Sequence, residues 1–222
     1  MAIVGLTKAE QYEKTRTTLL NVAHELFAMK GYAGTSTNEI VESAKVTRGA
    51  LYYHFQDKKS IFQAVFERHR QSRTHALIER IQEAEGDAWQ RLVETGLTLV
   101  VESLSEKDTQ RIVYTDGPAV LGQEIWHTNV PALDFITASL EQLKAEGFLE
   151  EKTPHHILAR LMWGALLEAG LYVSHAADPV GAQREVLHGL KFWFEKLLDR
   201  HSGGGSRASP RFSFAGHVLS KP

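Results

Sequence analysis

Two short helix-period segments sit either side of only three residues in TSTNEIVESAKVTRGALYYHF, Thr35 to Phe55. In the first, Ile40, Val41 and Ala44 are the apolar positions. Ser36 or Thr37 stands as its N-cap, with Glu39 close behind, near to a capping box. In the second, RGALYYHF is long enough for about two helical turns. A turn as short as Lys45-Val46-Thr47 between two helices is the geometry of a helix-turn-helix. With about 100° of rotation per residue, Leu51 and Phe55 share one face of the second helix, which must be the buried one. Gly49 and Tyr53 then point almost directly away, with Ala50 and Tyr52 flanking them and Arg48 projecting freely at the start.

A helix that displays tyrosine opposite its core face suits the major groove of DNA. Small residues at Gly49 and Ala50 let the backbone approach base edges, and the Ala50 methyl matches a thymine methyl. Arg48 reaches a guanine edge with two hydrogen bonds. Tyr52, Tyr53 and His54 offer polar tips to phosphate oxygens. Lys58, opening the next helix, combines its ammonium with free backbone N–H groups. Packing of Tyr52 and Tyr53 against neighbouring helices is the competing reading.

The rest of the chain is also written in the helical period. LLNVAHELFAMKG carries Leu19, Val22, Leu26 and Met29 at three- and four-residue spacing, with Ala23 and Phe27 widening the stripe and Gly31 as C-terminal cap. A long helix follows from Asp57, bearing Ile61, Phe62, Val65 and Phe66. DAWQRLVETGLTLVVESLSE reads as another helix, DGPAVLG as a Gly/Pro interruption, and Pro131 as a kink or break in the helix after it. Pro154 and Pro179 sit where the last two helices begin. No strand pattern or repeat is evident, so the fold class is all-α. From His201 the composition becomes that of a flexible tail.

Charge is segregated. Residues 1–80 hold 12 Lys+Arg against 8 Asp+Glu, and the remainder 13 against 19, so a polyanion would meet the N-terminal part. Cysteine is absent, which excludes disulfides, thiolate metal sites and cysteine nucleophiles. No signal peptide is recognisable, and no window approaches the roughly 20 apolar residues of a membrane span. A cytoplasmic protein with no membrane association is expected. His24, His69 and His75 lack the spacing of a metalloprotease helix, and adjacent His155 and His156 face different directions. The histidines therefore read as solvated or core side chains, and no metal or cofactor is expected.

With LLNVAHELFAMKGY before it, TSTNEIVESAKVTRGALYYHFQDKKSIF resembles the DNA-binding domain of the TetR family of bacterial transcriptional regulators, over about residues 14–66. The resemblance implies an all-α homodimer whose third helix enters the major groove. It divides the chain into an N-terminal arm and three-helix DNA-binding domain (1–57), a helical effector-binding and dimerisation domain joined through a long helix (58–200), and a tail (201–222). By position, Thr37 and Thr47 join the DNA-binding set, Thr37 opening the second helix against the backbone. Arg48, Gly49 and Tyr53 face bases, while Tyr52, His54 and Lys58 hold phosphates. The family usually has glycine where this chain has Lys45. Either Lys45 adopts a left-handed conformation at some strain, or the turn differs and these assignments move by one residue.

Tyr114, Asp116, Trp126, Phe135, Met162 and Trp163 are the candidate lining of a pocket for a small, mostly apolar effector. Each has a plain structural alternative as a core residue, or for Asp116 as a turn cap. Gly164, Ala165 and Ala169 permit close helix approach, and Leu187, Leu190, Trp193 and Phe194 form an apolar face. Paired with their symmetry mates, these two helices would make a four-helix dimer interface. The expected function is a repressor released by effector from a palindromic DNA operator. An activator or effector-independent regulator with the same DNA domain is the alternative. A helical enzyme using Asp116 and His127 is the remote one, since no nucleophile is placed and the expectation is that the chain is not an enzyme.

Overall fold

The computed structural model describes residues 7–127 and 130–197, and among them there is no strand. Among the described residues nine α-helices run in chain order: α1 (Lys8–Gly34), α2 (Thr37–Ala44), α3 (Arg48–His54), α4 (Lys58–Glu83), α5 (Gly96–Leu104), α6 (Gly117–Leu121), α7 (Pro131–Ala145), α8 (His155–His175) and α9 (Pro179–Leu197). π-Helical turns, Gln90–Thr95 and Thr109–Asp116, lead into α5 and α6. The all-α fold class is as expected.

The helices pack as two compact units: residues up to Arg70 with Lys107–Trp126, and Gln71–Glu106 with the chain from His127 onward. α4 is continuous from one to the other, so the first unit extends beyond residue 57 and includes a segment from much later in the chain. The expected C-terminal tail lies outside the described residues.

The first unit is built on an aromatic and aliphatic core. Leu19, Phe27, Ile40, Leu51, Ile61, Phe62, Val65, Phe66 and Ile112 are all completely buried. Each such side chain contributes roughly 1.5–3 kcal/mol relative to exposure. Phe27 and Phe62 meet edge to face at 5.1 Å, as do Tyr32 and Phe62. Leu20 belongs to the buried stripe of α1, whereas Met29, expected there, is 72% exposed. At about 100° per residue Met29 lies roughly 120° around the helix from the buried Ala23, beyond the edge of the core-facing arc.

Gly31 does not end α1; it kinks it. At φ 74°, ψ 172° it breaks the helical ladder, and one more turn follows to Gly34. The buried Thr35 hydroxyl donates to the Gly31 carbonyl at 2.9 Å, and the freed Tyr32 N–H donates to Asp116 Oδ2 at 2.7 Å. Arg111 lies across Gly31, where a β-carbon would meet its guanidinium 1.9 Å away, and pairs with Asp116 at 3.3 Å. The helix also continues through Asp116-Gly117-Pro118, read from sequence as an interruption. Proline is tolerated in the first turn of α6, and the break falls instead at Gly122, with φ 89°.

In the second unit α8 packs on α5, α7 and α9. Its buried residues are Leu158, Ala159, Met162, Leu166, Ala169, Gly170 and Val173. α8 is long and apolar enough to meet the length and composition of a membrane span, but its buried face packs it as a core helix of this unit. Pro131, Pro154 and Pro179 each stand at a helix start. Pro131 thus opens α7 rather than kinking it.

Lys45 is the one residue other than glycine with positive φ among the described residues, at φ 54°, ψ 41°. It closes α2 with its N–H on the Glu42 carbonyl at 3.2 Å, and Val46 N–H reaches Val41 O at 3.2 Å. A side chain in this conformation costs about 1–2 kcal/mol. Lys45→Gly is therefore expected to raise Tm by roughly 2–4 °C for a chain of this size. A lowered Tm in thermal denaturation would contradict a strained turn.

Candidate nucleic-acid interface

α3 has only seven residues, too few to be stable alone. Three local features hold it. The Thr47 hydroxyl accepts from Ala50 N–H at 3.1 Å as N-cap. Leu51 is completely buried, and Phe55, just past the helix, is 6% exposed. The preceding helix is capped by Ser36, which accepts from Glu39 N–H at 3.2 Å, so Ser36 rather than Thr37 is the N-cap. Thr37 is the half-buried first residue of α2.

Burial of Leu51 fixes the outward face. Tyr53 is 76% exposed and Tyr52 47%. Arg48 and Gly49 are exposed, and Ala50 is half-buried. Beside Gly49 the nearest atom to a β-carbon would be Thr47 Oγ1 at 3.9 Å, so the backbone lies open to close approach.

Two residues that sequence reasoning missed support this face from α1. Tyr12 stands edge-on to Tyr53 at 5.7 Å and packs against the His54 ring at 4.3 Å. The Arg16 guanidinium lies 5.6 Å from the centre of the Phe55 ring. Their four-residue spacing puts both on one side of α1, a signal available in the sequence. Burial, with Arg16 adding repulsion and Glu13 opposing both, holds the His54 imidazole below its ordinary pKa. His54 Nδ1 is buried without a hydrogen-bond partner among the described residues.

Lys58 is already engaged. Its ammonium donates to Tyr32 O and Thr35 O, both at 2.8 Å, and sits 4.1 Å from the Tyr32 ring centre. Two of its three donors thus close the C-terminal end of α1, leaving one for a phosphate.

The expected pocket residues divide between the units. Tyr114 and Asp116 belong to the first. Tyr114 is buried, which pushes its phenol pKa well up, partly offset by Arg70. Asp116 holds Tyr32 and Arg111, so its carboxylate is a structural anchor. Phe135, half-buried, Met162, buried, and Trp163, half-buried, belong to the second. Trp163 Nε1 and Ser139 Oγ are buried there without a hydrogen-bond partner among the described residues. The side chains of Trp126 and His127 lie outside the described residues.

Of the expected dimer residues, Gly164 is exposed and Ala165, Leu187 and Trp193 are half-buried. Ala169, Leu190 and Phe194 are instead buried in the chain's own core. Among the described residues, the large exposed apolar side chains of α8 and α9 are Ile157, Leu161, Tyr172, Val180 and Phe192.

Residues 19–65 match the family profile described as "Bacterial regulatory proteins, tetR family", and 89–197 match "Tetracyclin repressor-like, C-terminal domain". A TetR-family transcriptional regulator of Pectobacterium atrosepticum has a similar structure, with TM-score 0.76 and 30% identity over 87% of this chain and 98% of that one. The chain belongs to the TetR family. Among curated relatives of this TetR-family regulator, the HTH-type transcriptional regulator AcrR of Shigella flexneri is 48% identical over 61 residues, 28% of each chain. The HTH-type transcriptional repressor BepR of Brucella suis is 31% identical over 109 residues, 49% of this chain and 51% of the relative. The match thus spans about half or less of those two relatives' lengths. The protein is a TetR-family, DNA-binding transcriptional regulator of all-α fold.

Because the Lys58 amine satisfies two carbonyls of a partly buried helix end, Lys58→Met is expected to destabilise the free protein by about 1–3 kcal/mol. Chemical denaturation without DNA measures this. Unchanged stability would remove the capping role and leave only a DNA contact.

Proposed function

We propose that this TetR-family regulator is a dimeric repressor that leaves a palindromic operator when a small, mostly apolar effector binds. The observation that carries the DNA reading is the outward face of α3, where exposed Gly49 and Tyr53 stand opposite the buried Leu51, with Tyr52 flanking them and Arg48 exposed at the helix start. On this reading Arg48, Gly49, Ala50 and Tyr53 meet base edges. Thr37, Thr47, Tyr52, His54 and the remaining donor of Lys58 meet the phosphate backbone. The Thr47 hydroxyl accepts within its own cap and keeps its proton for a phosphate oxygen. The repressor sign is supported by relatives named as repressors, BepR and the probable acrEF/envCD operon repressor of Escherichia coli.

A helix of seven residues reads only a few base pairs, so useful affinity needs two half-sites about 34–36 Å apart and a dimer to span them. The dimer face we assign combines Ile157, Leu161, Gly164 and Tyr172 of α8 with Leu187 and Phe192 of α9. Among the described residues, no atom beyond the local helix backbone and chain neighbours stands within 4 Å of a β-carbon placed at Gly164 or Gly189, which supports a close-packed partner helix there. For the effector, the orphaned Trp163 Nε1 supports a ligand carrying at least one hydrogen-bond acceptor beside apolar contact with Met162 and Phe135. The enzyme reading loses its carboxylate, since Asp116 is held by Tyr32 and Arg111.

Arg48→Ala is expected to weaken operator binding by about 1–3 kcal/mol and to relax preference at a single base pair. Competition binding with a duplex selected from random sequence, against its single-base variants, reads both; equal loss on every sequence would assign Arg48 to the backbone instead. Leu161→Glu is expected to give a folded monomer by sedimentation, with operator affinity lost in parallel. A dimer unchanged by this substitution would place the interface elsewhere.

A further inference from the structure

Three side chains far apart in sequence converge inside the first unit, away from α3. His24 comes from α1, His69 from α4, and Asp108 from the N-cap of the π-helical turn Thr109–Asp116. His24 Nε2 lies 3.0 Å from His69 Nδ1. Asp108 Oδ2 lies 3.9 Å from the first nitrogen and 4.0 Å from the second. All three atoms fall within 4.8 Å of one another. The rings are stacked at 5.2 Å with 23° between their planes. His69 is buried and the other two are half-buried.

The surrounding bonds orient these atoms. His69 Nε2 lies 3.0 Å from Thr109 Oγ1. An N–H donated there leaves the Nδ1 lone pair facing His24 and Asp108. Histidine ligands ordinarily have their second nitrogen held in this way. Asp108 Oδ1 accepts from Thr109 N–H at 2.9 Å, so its other oxygen is the one turned to the imidazoles. Two imidazole nitrogens and a carboxylate oxygen suit Zn²⁺, Fe²⁺, Ni²⁺ or Cu²⁺ and not the hard ions Mg²⁺ or Ca²⁺. Around a tetrahedral Zn²⁺ with ligands at about 2.0–2.2 Å, ligand atoms lie roughly 3.3 Å apart. A small inward turn of the Asp108 carboxylate reaches that spacing. The carboxylate supplies negative charge that a divalent cation requires.

We propose that His24, His69 and Asp108 form a binding site for one first-row divalent transition-metal ion of the Zn²⁺ class, with the fourth position taken by water. The site stands on this cluster and is independent of the DNA reading. A bound ion joins α1, α4 and the π-helical turn, so it stabilises the folded state by mass action.

The full chain, stripped with chelator and dialysed, is titrated with Co²⁺ as a visible probe and then with Zn²⁺. The expected result is one Co²⁺ per chain with d–d absorption bands, displaced by Zn²⁺ and untouched by excess Mg²⁺. Zn²⁺ raises Tm in the wild type, and chelator reverses the rise. His24→Gln and Asp108→Ala, checked for helical circular dichroism, each abolish the bands at equimolar Co²⁺. Thr109→Val keeps the ligands but weakens binding by about 10–100-fold. The double variant His155→Ala, His156→Ala leaves the signal unchanged. Absence of Co²⁺ bands in the wild type, their survival in both ligand variants, or their loss with His155 and His156 overturns the proposal.

Discussion

Everything assigned to α3 depends on the burial of Leu51. The helix is less than two full turns long, and Leu51 is its one buried side chain. Phe55, in extended conformation directly after it, adds a second anchor. Together they leave a single rotation of the helix about its axis. A rotation of one residue, about 100°, would turn Leu51 to solvent and bring inward either Tyr52, with its hydroxyl, or Ala50, with only a methyl to fill the space. The Thr47 cap fixes where the helix starts, and the left-handed Lys45 fixes the direction from which it is entered. The outward set Arg48, Gly49, Tyr52 and Tyr53 follows from those three constraints.

The structure holding α3 is not a contiguous N-terminal domain. Residues 107–126 pack in the same unit as α1–α3 and the first half of α4. Their attachment is through the kink in α1: Gly31 frees the Tyr32 N–H, Asp116 takes it, and Arg111 covers the glycine. Gly117 keeps the segment close, since a β-carbon there would lie 2.6 Å from Phe66 Cε2. The same α1 carries Tyr12 and Arg16 to Tyr53, His54 and Phe55.

Local features were legible from sequence and distant ones were not. The two short helices and the three-residue turn between them arise between residues a few positions apart, so spacing exposes them. The left-handed Lys45 came from the family resemblance as one of two alternatives, the α2 cap stayed open between Ser36 and Thr37, and the Thr47 cap was not read. The position of Tyr53 follows from helical rotation once Leu51 is taken as buried. Lys58 looked like a free cation because its acceptors, Tyr32 O and Thr35 O, lie 26 and 23 residues earlier. Asp116 looked like a pocket or turn residue because its partner Tyr32 is 84 positions away. His24 and His69, 45 apart, carry no joint signal until α1 and α4 are packed. On α8 and α9 the apolar faces are broader than one neighbour can cover. Periodicity could not divide them between the chain's own core, where Ala169, Leu190 and Phe194 lie, and the open face of Leu161 and Phe192.

The most direct measurement is amide chemical-shift mapping of the isotope-labelled chain on adding a duplex selected from a random pool. The account predicts the largest changes at Thr47 to His54, with Tyr53 foremost, and smaller ones at the starts of α2 and α4. Tight binding that leaves those amides unmoved, with changes gathered elsewhere on the chain, would contradict it.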